Sequence, residues 1–178
     1  IAGKAYGVPV HRLLGGAFRT RVQAYATGFY RISGQGEAAR LADEALAHHE
    51  AGFRAMKVKL GYGLKDDIAV MAAIGRAIEG KGITLMIDTN HAYGVGDAIR
   101  LGHALADHDL RWYEEPVAPE HIQGYREVRS RVSMPVAGGE NEHTLYGFRD
   151  FLGAGAVDIA QPDLGSVGGF TAARHVIT

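Results

Sequence analysis

The sequence predicts an α/β protein whose strands form one parallel sheet. Short apolar runs rich in β-branched residues alternate with longer segments that carry apolar residues at helical spacing. Six such strand–helix units follow one another, which is typical of parallel strands joined by helical crossovers. The chain also contains 25 glycines among its 178 residues, and these suit the many tight connections that such a sheet needs.

Each predicted strand is a short apolar run, and each predicted helix follows it after a polar connection. The predicted strands are 22–29, 55–60, 83–87, 111–113, 135–137 and 157–160. The predicted helices are 37–50, 66–78, 97–106, 122–130, 144–152 and 169–178. The helix at 37–50 has the plainest period, with apolar residues at Ala38, Leu41, Ala42, Ala45 and Leu46. The fourth strand is short because Pro116 stops it.

Two architectures fit six such units, an open doubly wound sheet and a (β/α)8 barrel of the TIM type. A barrel needs eight units and typically about 250 residues. This chain offers six units in 178 residues. We nevertheless favour a partial (β/α)8 TIM-type barrel, incomplete in this chain, because of where the charged residues fall.

Composition excludes several classes of function. The formal net charge is -1 and no basic run stands out, so nothing favours nucleic acid or a membrane surface. Without cysteine the chain has no disulfide or thiolate–metal framework, which fits a reducing cytoplasm. The sequence contains no apolar stretch long enough to span a bilayer and no visible signal peptide. We therefore expect a cytoplasmic protein that binds neither nucleic acid nor membranes.

Ionisable residues stand at the ends of the second to sixth predicted strands. In chain order they are Lys57 and Lys59, Asp88, Glu114, Glu140 and Asp163. From Lys59 onward the spacings are 29, 26, 26 and 23 residues, about one strand–helix unit each. Because active sites in parallel α/β folds lie at the carboxyl ends of the strands, we expect these groups to converge on one face.

Three of these residues, Asp88, Glu114 and Glu140, form a candidate metal site. Three neighbouring carboxylates repel one another unless a cation neutralises them, and an all-oxygen ligand set selects a hard ion. Mg²⁺ is expected, with Mn²⁺ possible because Mg²⁺ commonly takes fewer protein carboxylates. Any one acid alone is explained as a helix cap. A two-histidine, one-carboxylate iron site with His91 and His143 is disfavoured because carboxylates dominate.

Lys57 and Lys59 are candidate catalytic residues, since residues two apart on a strand point to the same side. Two inward lysines are costly to bury without partners, and the neighbouring carboxylates would supply the charge balance. Asn90 and Asn141 are candidate substrate-binding residues, although turn chemistry explains them equally well. Asp163 taken alone could simply cap the helix that follows it.

Together these motifs resemble the mandelate racemase subgroup of the enolase superfamily, the mandelate racemase/muconate lactonizing enzyme family. The matching motifs are Lys57-x-Lys59, Asp88-x-Asn90, Glu114-Glu115-Pro116, Gly139-Glu140-Asn141, and Pro162-Asp163 with Gly168-Gly169. The resemblance implies that Mg²⁺ is bound by the three carboxylates of the candidate metal site. It further implies that Lys59 is the base or acid on one face of the substrate and that Lys57 helps hold the substrate carboxylate. Asp163 would orient a histidine on the opposite face.

The same resemblance implies a domain organisation. Residues 1–20 would lead into the barrel, and residues 21–178 would supply its units 1–6. The N-terminal capping domain and the last barrel units, with the histidine partner of Asp163, are expected to lie outside this chain. We also expect a homo-oligomer, and exposed apolar surface at the open edges of the sheet.

The implied reaction is removal of the proton alpha to a carboxylate, through an enediolate, from a small-molecule substrate. Dehydration of a sugar acid is the leading expectation, with an acid expelling the β-hydroxyl after Lys59 takes the proton. Racemisation or epimerisation of a 2-hydroxy acid shares the first step, and cycloisomerisation is a third alternative. A non-catalytic barrel fragment with a vestigial metal site is the alternative of another class.

Overall fold

The computed structural model describes residues 1–32 and 37–178. Six strands form one sheet in the order β1 to β6, and each strand is parallel to the next. They are β1 Ala26–Gly28, β2 Ala55–Lys59, β3 Thr84–Asp88, β4 Tyr113–Glu114, β5 Val136–Gly138 and β6 Ile159–Ala160. A doubly wound sheet reverses its strand order at a switch point, whereas a barrel adds each strand beside the previous one. The strand order therefore confirms the predicted partial barrel.

A helix follows each strand, as predicted. These helices are α3 Ala38–Glu50, α4 Leu64–Ala77, α5 Val95–Ala104, α6 Ile122–Arg131, α7 Thr144–Gly153 and α8 Gly169–Ile177, with a 3-10 turn Ala106–His108 after α5. Two short helices, α1 Ala2–Tyr6 and α2 Val10–Leu13, precede the sheet and were not predicted. None of their residues is buried. Within the described ranges, no helix is long and apolar enough to cross a membrane.

The first strand is shorter than predicted, three residues instead of eight. Within the described sheet β1 pairs only with β2, and the paired residues are Ala26 to Gly28. Val22 and Tyr25, which suggested a longer strand, are 79% and 40% exposed. Apolar character alone therefore overstated the strand, because residues 22–25 have no ladder to join in the described sheet.

Strand alternation sends apolar side chains to the helices and charged side chains to the opposite face of the sheet. Met56 and Val58 of β2 lie in the hydrophobic core with helix residues such as Val70 and Ile74. The intervening residues Lys57 and Lys59 have the other phase of the pleat. On β3, Leu85 and Ile87 join the core while Asp88 takes the other phase. The packing that buries the core therefore forces the charged residues onto the inner face of the barrel wall.

A candidate active site at the carboxyl ends of the strands

Register places the predicted charged residues side by side on the inner face. Lys59 pairs with Asp88 across β2 and β3, and Asp88 pairs with Glu114 across β3 and β4. Asp88 and Glu114 are 0% and 1% exposed, so both carboxylates are removed from water. Buried carboxylates need a cation or several donors nearby. The structure supplies both. We call the buried acids and their hydrogen-bond partners at these strand ends the strand-end cluster, which consists of Lys57, Lys59, Asp88, Asn90, Trp112, Glu114, Glu115, Asn141 and Gln161.

Lys57 bridges the two buried carboxylates. Its Nζ lies 2.5 Å from Glu114 Oε1 and 3.3 Å from Asp88 Oδ2. Burial acts to lower the pKa of Lys57, but the Glu114 hydrogen bond and the Glu114 and Asp88 charges raise it above its ordinary value. The side chain is therefore a protonated ammonium. Because one cation contacts both carboxylates, these two groups are close enough to share a single positive ion.

Lys59 forms the second half of the charge pairing. Its Nζ contacts Asp88 Oδ2 and donates a hydrogen bond of 2.9 Å to Asn90 Oδ1. The other Asp88 oxygen, Oδ1, accepts the backbone N–H of Asn90 at 2.9 Å. Burial acts to raise the pKa of Asp88, yet the hydrogen bonds from Lys59 and Asn90 and the lysine charges hold it below its ordinary value. Asp88 is therefore an ionised carboxylate.

Two uncharged residues hold Glu114, and no sequence pattern predicted either role. Trp112 Nε1 and Gln161 Nε2 both donate to Glu114 Oε2, at 2.9 Å and 2.8 Å. Trp112 is an aromatic residue next to β4, and Gln161 belongs to the Gln-Pro-Asp segment after β6, in which Asp163 is the ionisable residue. Neither amide nor indole groups stand out by charge or spacing in a sequence.

Glu115, directly after Glu114, is a buried residue whose place in the site the strand-end spacing did not predict. It is 1% exposed and its φ is +45°, a left-handed conformation that costs a non-glycine residue on the order of 1–3 kcal/mol. Its carboxylate accepts hydrogen bonds from Asn141 Nδ2 at 2.5 Å and Asn90 Nδ2 at 3.4 Å. Burial raises the pKa of Glu115, the Asn141 hydrogen bond lowers it, and the Glu140 and Asp88 charges raise it further.

Both predicted substrate-binding asparagines, Asn90 and Asn141, therefore join the cluster through Glu115. Asn141 also lines a cavity of about 610 Å³ with His91, Ala118, Pro119, Glu120, Glu142 and His143. His143 Nδ1 lies 3.0 Å from the backbone oxygen of Ser166. This cavity borders the cluster on the β4–β5 side.

Glu140 is half-buried, and its charge acts on Glu115. Within residues 1–32 and 37–178, no group of three or more histidine, aspartate or glutamate residues is arranged to hold a metal ion. Asp88 and Glu114 face the lysines instead. The chemistry of the donors nevertheless fits a hard divalent cation, since all are carboxylate oxygens and an ammonium already sits between two of them.

Asp163 lies apart in character from these residues. It is exposed, and its Oδ1 accepts the backbone N–H groups of Gly165 and Ser166 at 2.8 Å and 2.9 Å. These hydrogen bonds lower the pKa of Asp163. Asp163 therefore stabilises the turn that precedes α8 but does not cap that helix, whose N-cap residue is Gly168 without a side-chain capping hydrogen bond.

The chain is similar to proteins of one family. The Enolase C-terminal domain-like family matches residues 39–178. D-galactarolactone cycloisomerase from Agrobacterium fabrum is 44% identical over 178 residues, covering 100% of this chain and 47% of that protein. L-rhamnonate dehydratase from Saccharopolyspora erythraea is 37% identical over 179 residues, covering 96% of this chain and 42% of that protein. The chain thus spans less than half the length of these curated relatives.

Solved structures show the same likeness. The crystal structure of 3,6-anhydro-D-galactonate cycloisomerase from Zobellia galactanivorans matches with a TM-score of 0.90 at 41% identity, over 98% of this chain and 48% of that one. The crystal structure of an enolase from Bradyrhizobium, complexed with magnesium and mandelic acid, matches with a TM-score of 0.86 at 39% identity. That match covers 98% of this chain and 47% of the Bradyrhizobium chain.

Proposed function

Since this chain belongs to the Enolase C-terminal domain-like family, we propose that its strand-end cluster removes the proton alpha to the carboxylate of a small acid. The observation that carries the proposal is the buried pairing of two lysines on β2 with the carboxylates of β3 and β4. Such a cluster places lysine amines in direct contact with carboxylates that could bind a metal ion, so a small acid could reach both. That juxtaposition is what proton abstraction beside a carboxylate requires.

The two lysines take different roles. Lys57 stays protonated between Glu114 and Asp88, so it binds the substrate carboxylate as a cation. Lys59 lies two residues further along the same face, closer to the open end of the strand, and in its neutral amine form its Nζ accepts the α-proton. Asn90 Oδ1 fixes the position of that nitrogen through the 2.9 Å hydrogen bond. Asp163 remains a candidate for orienting an acid on the opposite face.

Asp88, Glu114 and Glu140 are proposed to hold a divalent cation, Mg²⁺ or else Mn²⁺. When bound, that ion would supply positive charge beside the substrate carboxylate, where negative charge develops as the proton leaves. Trp112 and Gln161 keep the Glu114 carboxylate in a fixed orientation towards the inner face. The magnesium in the Bradyrhizobium enolase structure supports the choice of ion.

We propose that the reaction continues by β-elimination of an oxygen from a sugar acid or its cyclic derivative. Dehydration expels a β-hydroxyl, and opening of an anhydro or lactone ring expels a ring oxygen on the same carbon. In either case the α-C–H and β-C–O bonds break and a C=C bond forms between the two carbons, giving an enol that tautomerises to the 2-keto-3-deoxy acid. Lys59 keeps the α-proton, and the leaving oxygen takes a proton from a general acid. The names of the cycloisomerases and the dehydratase among the relatives support both outcomes.

Gln161 supports a hydroxylated substrate. Its amide oxygen is buried and, among the residues described, has no hydrogen-bond partner, while its amide nitrogen is committed to Glu114. A buried acceptor without a donor is costly, and a hydroxyl of a bound sugar acid would satisfy it. Sugar acids are therefore a better fit than wholly apolar acids. The capping domain and the homo-oligomer stay predictions.

The experiment is hydrogen exchange in deuterated water with Mg²⁺, using the protein that carries this chain and a panel of sugar acids, their lactones and anhydro acids. We expect deuterium at the α-carbon or in the product, and Lys59→Met should lower the rate by at least about 10²-fold. Lys65→Met, which removes an exposed lysine of α4, is the matched control. Undiminished exchange in Lys59→Met would overturn the assignment of the base.

The same samples separate the remaining outcomes. A 2-keto-3-deoxy product supports β-elimination, with the starting acid telling dehydration from ring opening. Deuterated starting acid of inverted configuration and no keto product would identify a racemase or epimerase instead. Absence of exchange with every acid tested would favour the non-catalytic alternative.

A further inference from the structure

Glu115 holds two asparagines of the cluster at once, from a position where the backbone is strained. Its Oε1 accepts Asn141 Nδ2 at 2.5 Å, and its Oε2 accepts Asn90 Nδ2 at 3.4 Å. These two asparagines follow β3 and β5, so the carboxylate ties together the loops on both sides of β4. The side chain is 1% exposed, which leaves the hydrogen bonds free from competition with water.

The backbone of Glu115 is clamped in the same place. Its N–H donates to Ala137 O at 3.0 Å, and its carbonyl accepts Thr89 Oγ1 at 2.9 Å and the His91 N–H at 2.8 Å. These bonds reach the ends of β3 and β5 and hold φ at +45°. On an ordinary strand Glu115 would face away from Glu114, towards the helices. The left-handed kink instead brings both carboxylates to the inner end of the sheet.

The partners of Asn90 allow only one orientation of its amide group. The Lys59 ammonium has donors and no acceptor, and the Glu115 carboxylate has acceptors and no donor. Asn90 must therefore turn its oxygen to Lys59, at 2.9 Å, and its nitrogen to Glu115. Glu115 and Lys59 therefore favour the same orientation from opposite sides, and without Glu115 the hydrogen bond from Lys59 would be the one described side-chain contact left to hold the amide.

We propose that Glu115 is a positioning residue that fixes the amide of Asn90, and through it the Nζ of Lys59, while holding Asn141 at the edge of the adjoining cavity. This role rests on the proposed function of Lys59 as the base. In the described contacts, Glu115 reaches Lys59 only through Asn90. It acts through the asparagine, and its effect therefore falls on the rate of proton transfer rather than on substrate affinity.

Glu115→Gln is the sharpest variant because it keeps the shape and changes one acceptor into a donor. The remaining glutamine oxygen takes the shorter bond from Asn141, and the new NH₂ group faces Asn90 Nδ2. Asn90 then faces a donor on both sides and can offer its oxygen to only one of them, so the hydrogen bond between Lys59 and Asn90 is weakened. We expect kcat to fall on the order of tenfold, with KM changing less than about twofold.

Adding Asn90→Asp to Glu115→Gln should restore most of that loss, because the pair then again offers a donor to one neighbour and an acceptor to Lys59. Glu79→Gln, which changes an exposed glutamate after α4, is the matched control and should keep wild-type kcat. A merely structural role would predict no rescue. An unchanged kcat in Glu115→Gln, or a loss that Asn90→Asp does not relieve, would overturn the proposal.

A crystal structure of Glu115→Gln provides a readout that needs no turnover. The expected result is loss of the 2.9 Å contact between Lys59 Nζ and the Asn90 oxygen. Retention of that contact would overturn the positioning role. If the wild-type protein shows no α-proton exchange at all, the proposed function fails, and this structural result still decides whether Glu115 positions Asn90.

Discussion

Replacing Lys57 by methionine removes the only ammonium described as touching both Asp88 and Glu114, and its effect on stability can be worked out from the contacts. Lys57 Nζ lies 2.5 Å from Glu114 and 3.3 Å from Asp88, and the residue is 8% exposed. Removing one partner of a buried ion pair costs about 3–5 kcal/mol, because the other charge stays buried. Methionine retains most of the volume of the lysine stem, so packing adds little.

We expect the lower end of that range, about 3 kcal/mol, because neither carboxylate loses all its partners. Asp88 keeps Lys59, and Glu114 keeps Trp112 and Gln161. For a domain of this size, 1 kcal/mol shifts the melting temperature by about 2–4 °C. The metal-free variant should therefore melt about 6–12 °C below the wild type. Differential scanning calorimetry with chelator present measures the shift.

The exposed lysine variant Lys65→Met is the control and should shift the melting temperature by less than about 2 °C. Added Mg²⁺ should raise the melting temperature of Lys57→Met more than that of the wild type, since a bound ion neutralises the carboxylates that the lysine has left. If the melting temperature of Lys57→Met fell no further than that of Lys65→Met, the two buried carboxylates would not depend on Lys57 for stability.

Two further predictions concern helix α5 and the turn after it. A Cβ at Gly102 would lie 2.4 Å from Val132 Cγ1, so Gly102→Ala should lower the free energy of unfolding, measured by urea denaturation, by about 1–3 kcal/mol. In the same helix a Cβ at Gly96 meets no atom within 4 Å, so Gly96→Ala should raise that free energy by about 0.5–1 kcal/mol. Equal shifts in the two variants would contradict the packing argument. Burial lowers the pKa of His108 from its ordinary 6.5, so as the pH falls this histidine is protonated in the unfolded chain before it is protonated in the folded chain. The free energy of unfolding should therefore fall as the pH drops through about 6.5 towards 5. His108→Gln should reduce this pH dependence in melting curves measured across the same range.

The repeat of strand and helix could be predicted because each unit buries an apolar strand against an amphipathic helix. The same alternation fixes which side chains turn inward, so the convergence of Lys57, Lys59, Asp88 and Glu114 followed from spacing alone. The spacing of one unit per charged residue was the observation that favoured a barrel, and the strand order bears that out.

The role of Glu115 could not be predicted, because strand alternation places it on the face opposite to Glu114. Only its left-handed φ, set by contacts with Thr89, His91 and Ala137, turns it into the cluster. Tertiary hydrogen bonds decide such a conformation, and no local pattern encodes them.

Neutral hydrogen-bonding residues were missed for a different reason. Gln161 and Trp112 contact Glu114 through neutral groups, which no charge pattern reveals. The first strand was predicted too long because apolar composition does not show whether a partner strand exists for each residue. Charged site residues that recur once per strand–helix unit could thus be predicted from the sequence. Site residues that act through the orientation of a neutral side chain could not.

Asp88, Glu114 and Glu140 are proposed to bind one divalent cation beside the two lysines. Titration of the protein that carries this chain with Mn²⁺, followed by electron paramagnetic resonance of the free ion, measures this directly. We expect one ion bound per chain, a large loss of affinity in each of Asp88→Asn, Glu114→Gln and Glu140→Gln, and unchanged affinity in Glu120→Gln. If any of the three carboxylate variants bound Mn²⁺ with wild-type affinity, the replaced carboxylate would not be a ligand of the ion.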